Sequence, residues 1–320
     1  MTTLSSDATA GLDSPIPIQA QSLRKQFGAV VAVDDLSFEV APGRITGLLG
    51  PNGSGKTTTL RMLVGLVSPS QGSATIFGRP YRDLPGPPTM VGAALEASGF
   101  HPGRSGRDHL HIAATMAGSP IERVDQVLGQ TGIADAADRR VGGYSLGMRQ
   151  RLALATALLG SPRILLLDEP ANGLDPGGIA WLREFLRWFA ADGGTVLISS
   201  HLLSEVAQTV DNVLIIARGR LVKASPLSEL IAGTEASVVV VTPTPDLLLS
   251  ALRARQIVCD IAESETVASP SSESAIVVHG LTAAAVGDLA HSEGIRLHQL
   301  TDQRQDLEDV FLRLVSEQPT

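Results

Sequence analysis

The chain has 320 residues, a formal net charge of −8 at neutral pH and a mean hydropathy of +0.17. The acidic balance argues against a nucleic-acid partner, which usually requires a basic face. No run approaches the ~18 consecutive apolar residues that cross a bilayer, and we expect neither a membrane span nor a secretion signal. A single cysteine, Cys259, excludes an internal disulfide. The length predicts two domains.

The N-terminal part divides into a tail and predicted strands. Residues 1–14 are small and polar, which is typical of a disordered tail. Residues 16–40 show the two-residue alternation of half-buried antiparallel strands. The turn at residues 41–43 leads into an apolar strand that carries Ile45, Leu48 and Leu49.

A glycine-rich loop between that strand and a helix is typical of a phosphate-binding loop. Its glycines let successive N–H groups point at a phosphate chain, and the helix adds its positive dipole end. Lys56 supplies charge for the outer phosphates, and the Thr57 hydroxyl can ligate a magnesium ion. The alternative is a chance match, but lysine is rare in this chain. The pattern predicts binding of a nucleoside triphosphate by Gly50, Pro51, Asn52, Gly53, Ser54, Gly55, Lys56, Thr57 and Thr58.

Periodicity places the next elements before a second acidic motif. The predicted order is a strand at 73–77, a loop at 83–89, a strand at 91–95, helices within 107–133 that break at 118–120, and a helix at about 148–159. His109 and His111 do not share a helix face, and we interpret them as surface residues rather than metal ligands.

Two acids follow a continuous apolar run at residues 164–167, which is typical of a strand buried on both faces. Asp168 is therefore expected at the carboxyl end of a central strand, where open α/β sheets bind ligands. There it can hold the magnesium ion, and Glu169 can orient and partly deprotonate the attacking water. The alternative is that both acids only cap the next helix.

The remaining residues predict the rest of a parallel sheet and a second domain. A helix at 178–190, strands at 195–199 and 213–217, and a helix from Leu202 complete the first part. From about Ser225 onward the pattern is β-α-β-β-α-β, the order of a ferredoxin-like unit. Its predicted elements are 238–241, 245–255, 257–261, 275–278, 282–292 and 295–300, followed by a last helix at 306–315.

Together these stretches resemble the nucleotide-binding subunit of ATP-binding cassette (ABC) transporters. Tyr144-Ser145-Leu146-Gly147-Met148 resembles the family signature, Asn172-Gly173-Leu174-Asp175-Pro176 is similar to its D-loop, and Ser199-Ser200-His201 resembles its switch histidine. Phe27 stands where the family stacks an aromatic ring on adenine.

The resemblance implies an α/β P-loop NTPase fold with a mixed central sheet, an antiparallel β subdomain and a helical subdomain at about 97–160. We expect this ATP-binding domain at 15–230 and a small α+β domain at 236–320. ATP and Mg²⁺ are the implied ligands, with Thr57, Asp168 and Glu96 at the metal and with Glu169, His201 and Lys56 as catalytic residues. Ser145, Gly147 and Asp175 of a second copy are expected to close over the nucleotide in a head-to-tail dimer.

Two departures from the family pattern indicate which branch of the family the chain resembles. Glu96 stands where the family has the glutamine that senses the γ-phosphate, and a carboxylate can take that role at magnesium. Leu146 and Met148 in the signature, together with the Leu307–Phe311 stretch, are similar to the bacitracin and daunorubicin resistance branch.

That branch implies an ATPase that powers a membrane exporter of drugs or antibiotics through a separate transmembrane permease, at the cytoplasmic face of the membrane. The alternative is a soluble cassette ATPase that acts on ribosomes or DNA, which the negative charge and the single cassette disfavour. The C-terminal domain is expected to brace the dimer, with binding of a regulatory small molecule as the alternative.

Overall fold

The computed structural model describes residues 16–95, 99–202, 207–232, 237–262 and 275–303, together with Phe311 and Leu314. The chain divides into two compact units, the first extending to Leu227 and the second beginning at Ser228. Each unit has its own sheets and its own hydrophobic core.

The described part of the first unit contains nine strands and six α-helices. The strands are β1 (Ile18–Phe27), β2 (Val30–Val40), β3 (Ile45–Leu49), β4 (Gln71–Ile76), β5 (Val91–Ala94), β6 (Ile164–Asp168), β7 (Thr195–Ser200), β8 (Asn212–Ala217) and β9 (Arg220–Pro226). The helices are α1 (Lys56–Leu63), α2 (Pro87–Met90), α3 (Gly106–Ala117), α4 (Arg123–Gln130), α5 (Leu146–Leu158) and α6 (Pro176–Ala191). Short 3-10 turns lie at Tyr81–Asp83, Ala134–Ala136 and Val141–Gly143.

Two sheets form the core of this unit. The central sheet has the order β5-β6-β7-β3-β8-β9 and is parallel except for β9, and the smaller antiparallel sheet has the order β2-β1-β4. Strand β6 is apolar from Ile164 to Leu167 and fully buried there, because helices cover both faces of a parallel sheet. Each such side chain stabilises the fold by roughly 1.5–3 kcal/mol.

Local capping residues start the helices that position the site. Ser105 and Asp108 form a reciprocal capping box at the start of α3. Ser145 caps α5, and Asp175 caps α6 by accepting a hydrogen bond from the N–H of Gly178 at 2.7 Å. Helices α3, α4 and α5 pack against one another as a helical layer.

The second unit is a four-stranded antiparallel sheet with two helices on one face. After α7 (Leu227–Ala232) at the boundary, its elements are β10 (Ser237–Val241), α8 (Pro245–Ala254), β11 (Cys259–Ala262), β12 (Ala275–His279), α9 (Ala283–Ser292) and β13 (Gln299–Gln303). The sheet order β11-β12-β10-β13 is that of a ferredoxin-like fold. Val238, Val240, Ile276 and Val278 pack against Leu248 and Leu252 of α8 and against α9.

The fold class predicted from the sequence is confirmed, including the mixed sheet, the antiparallel and helical subdomains and the ferredoxin-like unit. The loop predicted at 83–89 is confirmed only for residues 84–86, because a 3-10 turn ends at Asp83 and the proline-initiated helix α2 begins at Pro87. The last predicted strand is also misplaced, since β13 starts at Gln299. Ile295 instead closes α9, where its N–H donates to the carbonyl of Ala290 at 2.8 Å.

Strand β9 was not predicted, because its Arg220–Pro226 sequence mixes polar and apolar residues without a clear pattern and lies at the edge of the sheet. The predicted helices from Leu202 and at 306–315 lie largely outside the described residues. Among the helices that the structure describes, none has the length and apolar character needed to cross a bilayer.

Candidate nucleotide-binding site

The phosphate-binding loop connects the end of β3 to the start of α1, as the sequence predicts. Gly53 and Gly55 have φ angles of 81° and 105°, which side chains with a Cβ rarely adopt. A Cβ on Gly55 would stand 2.5 Å from the carbonyl oxygen of Ala32, and one on Gly50 would stand 2.3 Å from that of Ile216. Glycine is therefore required at both positions by the close approach of neighbouring backbone.

The loop borders a cavity of about 420 Å³. Gly55 starts α1 without a side-chain cap among the described residues, so the first N–H groups of the helix are left for a ligand. The Ser54 hydroxyl is buried in the loop, with no hydrogen-bond partner in the described part of the chain. The residues lining the cavity are Phe27, Ala32, Asn52, Gly53, Ser54, Gly55, Lys56, Thr57, Thr58, Glu169, Asn172 and His201.

Lys56 places a positive charge at the base of this cavity. Its side chain is only 6% exposed, and Nζ donates to the carbonyl oxygens of Gly50 at 2.7 Å and Pro51 at 3.2 Å. Nζ also lies 3.4 Å from Oε1 of Glu169. A buried ammonium is tolerated because these acceptors replace its water.

The Asp168 carboxylate lies next to the start of α1. The Thr57 hydroxyl donates to Asp168 Oδ2 at 2.7 Å, which joins the phosphate loop to the end of β6. A hydroxyl and a carboxylate are oxygen ligands of the kind Mg²⁺ prefers, and Mg²⁺ normally completes its shell with water and substrate phosphates. Among the described residues, no cluster of three or more His, Cys, Asp or Glu side chains could hold a metal ion.

Glu169 and His201 lie next to each other in the lining of the cavity. His201 Nδ1 lies 2.9 Å from Glu169 Oε2, and both side chains are partly exposed to the cavity. The Glu169 N–H donates to the hydroxyl of Ser199 at 2.9 Å. The helix that follows is capped by Asp175, so the alternative that Asp168 and Glu169 only cap it is wrong.

Sequence reasoning missed two residues of this arrangement. Ser199 was noted only as part of the switch-histidine stretch, although hydroxyl residues directly after the apolar run of a buried strand were an available signal. Asn172 lines the cavity, but it was predicted only as part of the D-loop.

Phe27 ends β1 at the mouth of the cavity. Its ring is 50% exposed, and the Lys25 ammonium lies 4.9 Å from the ring centroid. An exposed aromatic face beside a phosphate loop is suited to stacking on a nucleobase.

The predicted signature residues form a separate surface. Ser145 is exposed, and its Oγ accepts a hydrogen bond from the Met148 N–H at 3.2 Å. A Cβ on Gly147 would lie 3.2 Å from Leu174, so the signature helix packs against the D-loop. The described residues that line the cavity do not include Ser145, Gly147 or Asp175.

Tyr144 anchors this second surface to the helical layer. Its hydroxyl donates to the carbonyl of Ala136 at 2.6 Å, and burial raises the pKa of Tyr144 above its usual value.

Glu96 and His109 are two further residues that the sequence singled out. Glu96 lies outside the described residues. His109, which was interpreted as a surface residue, is half-buried with its ring edge-on to Phe100, so that interpretation is wrong.

Comparison with known proteins decides the family. Residues 33–172 match the family model described as ABC transporter, and residues 236–308 match a domain of unknown function. The chain is 41% identical over 216 residues to the bacitracin transport ATP-binding protein BcrA of Bacillus licheniformis, covering 67% of this chain and 71% of that protein. The chain belongs to the ATP-binding proteins of ABC transporters.

Two longer alignments extend this family membership over almost the whole chain. An uncharacterized ABC transporter ATP-binding protein of Bacillus subtilis, YdbJ, is 35% identical over 92% of this chain and 94% of its own length. The daunorubicin resistance ATP-binding protein DrrA2 of Streptomyces coeruleorubidus is 33% identical over 93% of this chain and 94% of its own length.

Solved structures agree on the fold of this ABC transporter ATP-binding protein. An ATP-binding subunit of an ABC transporter matches with a TM-score of 0.61 at 26% identity, covering 67% of this chain and 92% of that chain. The dimeric cassette MJ0796, bound to ADP and Pi, matches with a TM-score of 0.60 at 20% identity, covering 66% of this chain and 98% of that chain. The predictions of an ABC-type fold and of an ATP-binding ATPase subunit are confirmed.

Proposed function

We propose that this ATPase hydrolyses Mg²⁺-ATP in the cavity beside the phosphate loop and powers the export of a peptide antibiotic or another drug. The observation that carries the catalytic part is the set of side chains at the ends of β6 and β7. Glu169 is in contact with both other residues: its Oε1 lies 3.4 Å from Lys56 Nζ and its Oε2 lies 2.9 Å from His201 Nδ1, and all three residues line the cavity.

Each of these groups has a defined task in the proposal. Lys56 and the loop N–H groups hold the phosphates, and Phe27 stacks on the adenine. Glu169 orients the attacking water and accepts its proton, while His201 holds the Glu169 carboxylate and reaches the γ-phosphate. Mg²⁺, which would be held by Thr57, Asp168 and Glu96, neutralises phosphate charge when bound.

The second half of the site is proposed to come from another copy of the chain. Ser145 and Gly147 at the start of α5 offer a hydroxyl and N–H groups at the positive end of a helix, and Gly147 packs against Leu174, the neighbour of Asp175 in the D-loop. The start of α5 is exposed and does not line the cavity beside the phosphate loop of its own chain. This supports a head-to-tail dimer, in which the start of α5 in each chain closes on the nucleotide of the partner. We further propose that a separate permease holds the dimer at the cytoplasmic face of the membrane.

The test of the catalytic assignment is Glu169→Gln. The amide cannot accept the proton, so turnover should fall by about 100-fold or more while ATP binding persists. ATP should then accumulate a stable dimer, which size-exclusion chromatography with light scattering would measure. Glu184→Gln, on the exposed side of α6, is the matched control. Undiminished turnover of Glu169→Gln would overturn the assignment.

The cargo proposal is supported by relatives of this chain that are named for bacitracin transport, lantibiotic transport and daunorubicin resistance. The chain should co-purify with a membrane protein, and its ATPase rate in that complex should rise with peptide antibiotics or anthracyclines. Co-purification with RNA, and no stimulation by any drug, would favour the alternative of a cassette that acts on ribosomes or DNA.

We also propose that residues 236–320 form an accessory domain that braces the dimer, next to an ATP-binding domain at 15–230. Ile261 in the edge strand β11 is 59% exposed, and exposed apolar edges favour pairing between chains. Ile261→Lys should weaken self-association without changing ATP affinity. Limited proteolysis with mass spectrometry would locate the domain boundary.

A further inference from the structure

Ser199 lies between the two acids of the site and touches both. It is the next-to-last residue of β7 and is 1% exposed. We propose that Ser199 is a positioning residue that sets the orientation of Asp168 and Glu169 together. This inference rests on the proposed hydrolytic function, because it concerns the geometry of the same site.

The hydrogen bonds of the Ser199 hydroxyl have a defined direction. Its Oγ donates to Asp168 Oδ1 at 2.5 Å and accepts the Glu169 N–H at 2.9 Å. An ionised carboxylate has no hydrogen to donate, so the serine must supply the proton in the first bond. The backbone N–H can only donate, so the serine must accept in the second. One side chain thereby holds a carboxylate and the adjacent peptide group.

The backbone of Glu169 requires such support. Its φ angle is 48°, in the left-handed region that residues other than glycine rarely adopt. Such a conformation persists where surrounding contacts hold it, and these sites are often functional. The hydrogen bond from the Glu169 N–H to Ser199 is a contact of that kind. The turn it holds directs the Glu169 carboxylate to Lys56 and His201.

Asp168 is held from both sides by hydroxyl groups. The hydroxyl of Thr57, at the start of α1, donates to Oδ2, and the hydroxyl of Ser199, in β7, donates to Oδ1. The parallel register sets Asp168 directly opposite Ser199. Two hydroxyls on one carboxylate fix the plane of that group. Loss of Ser199 would leave Thr57 alone to orient it.

The phosphate loop does not depend on Ser199. Lys56 is held by the carbonyl groups of Gly50 and Pro51, and the loop glycines are set by contacts with Ala32 and Ile216. Removal of the Ser199 hydroxyl should therefore impair the chemical step more than nucleotide binding. A split between kcat and KM is the expected signature.

The experiment compares Ser199→Ala with Thr195→Val in the full chain. Thr195 is a buried hydroxyl at the other end of β7, where its Oγ1 accepts the Gly43 N–H at 3.2 Å. Both variants delete one buried hydroxyl of β7, and each of these hydroxyls accepts a backbone N–H from outside that strand. We expect kcat to fall about 10- to 100-fold in Ser199→Ala, with KM for ATP within about threefold of wild type. Thr195→Val should keep kcat within about twofold.

A spectroscopic measurement adds a readout that does not require turnover. Electron paramagnetic resonance with Mn²⁺ and ATP would report the affinity of the ion at Asp168. Ser199→Ala should weaken Mn²⁺ binding several-fold, and Ser199→Thr, which keeps a hydroxyl, should restore both Mn²⁺ affinity and kcat toward wild type. Thermal unfolding of each variant monitors folding.

Defined outcomes would overturn the inference. Wild-type kcat and Mn²⁺ affinity in Ser199→Ala would do so, as would a loss of activity matched in Thr195→Val at equal loss of thermal stability. The failure of the hydrolytic assignment is distinguishable, since it would appear as full turnover in Glu169→Gln. If Glu169→Gln is inactive and Ser199→Ala is normal, only the positioning role fails.

Discussion

The starts of α1 and α5 are two helix N-termini, or tips, of one chain whose first N–H groups are satisfied in different ways. At α1 the first residue before the helix is Gly55, and no side chain among the described residues caps the exposed N–H groups. At α5 the hydroxyl of Ser145 already accepts the Met148 N–H, and the tip is exposed. The first tip lines the cavity together with a buried lysine, whereas Ser145 and Gly147 of the second tip are not among the described residues that line it.

The difference indicates how the two tips should contribute to binding. A preorganised tip with a buried charge contributes most of the affinity for a phosphate chain, because its groups are already desolvated and fixed. An exposed, self-capped tip contributes only when a second surface excludes water from it. We therefore expect substitutions at α1 to affect nucleotide affinity and substitutions at α5 to affect dimer formation.

The largest effect is expected for Lys56→Met. Loss of the buried ammonium removes a charge-assisted contact to phosphate and leaves Glu169 without its positive neighbour. Affinity for ATP should fall roughly 100-fold, which corresponds to about 2.7 kcal/mol. Titration with a fluorescent ATP analogue would measure it. Lys223→Met, at an exposed position on β9, is the control. ATP binding at wild-type strength in Lys56→Met would contradict the proposed role of the α1 tip.

The next effect is expected at Ser145 and separates capping from anion binding. Aspartate and asparagine both cap helices well, but the aspartate carboxylate repels a triphosphate. Ser145→Asp should therefore lower ATPase turnover by about tenfold or more and prevent the ATP-dependent dimer. Ser145→Asn should stay close to wild type, and both variants should match wild type in thermal stability and in ATP affinity of the monomer. Equal turnover in the two variants would mean that the α5 tip does not meet phosphate.

A smaller effect is expected for Phe27→Ala. Stacking of a base on an aromatic ring contributes about 1–3 kcal/mol, and the half-exposed ring of Phe27 should lie at the lower end. ATP affinity should fall about 5- to 10-fold, with kcat nearly unchanged, while Phe27→Tyr should keep wild-type affinity. A drop in kcat at saturating ATP would show that the ring does more than hold the base.

The smallest effect is expected on the pH dependence of stability, through His109 in the helical layer. Burial lowers the pKa of His109 below its usual 6.5, and the charge of Arg104 lowers it further. The folded state therefore binds the proton less well than the unfolded state. Stability should be fully present above about pH 6.5 and should decline as the pH falls toward the folded-state pKa.

His109→Gln should flatten this acid-side decline, because glutamine does not titrate. Melting temperatures measured between pH 8 and pH 5 would test this. His291→Gln, at the exposed end of α9, serves as control. A decline of equal slope in wild type and His109→Gln would remove His109 as its cause.

Much of the architecture could be predicted from local patterns. The spacing of glycines around Lys56 predicts the loop, and the apolar run before Asp168 predicts a buried strand, because both depend on neighbouring residues. The β-α-β-β-α-β order of the second unit also follows from local periodicity. Strand β9 escaped prediction because its pairing with β8, and not its own composition, makes it a strand.

The sequence by itself determined which chemical groups this protein possesses: the glycine loop and its lysine, the adjacent acids, the histidine after a strand and the serine before a helix. Only the tertiary structure decided which of them touch. Asp168 and Ser199 are 31 residues apart, and they meet because β6 and β7 pair in one particular parallel register. A shift of one residue would turn the Ser199 hydroxyl to the opposite face of the sheet. The physical reason is that spacing along a chain sets local backbone geometry, whereas contacts across a sheet depend on packing of the whole core.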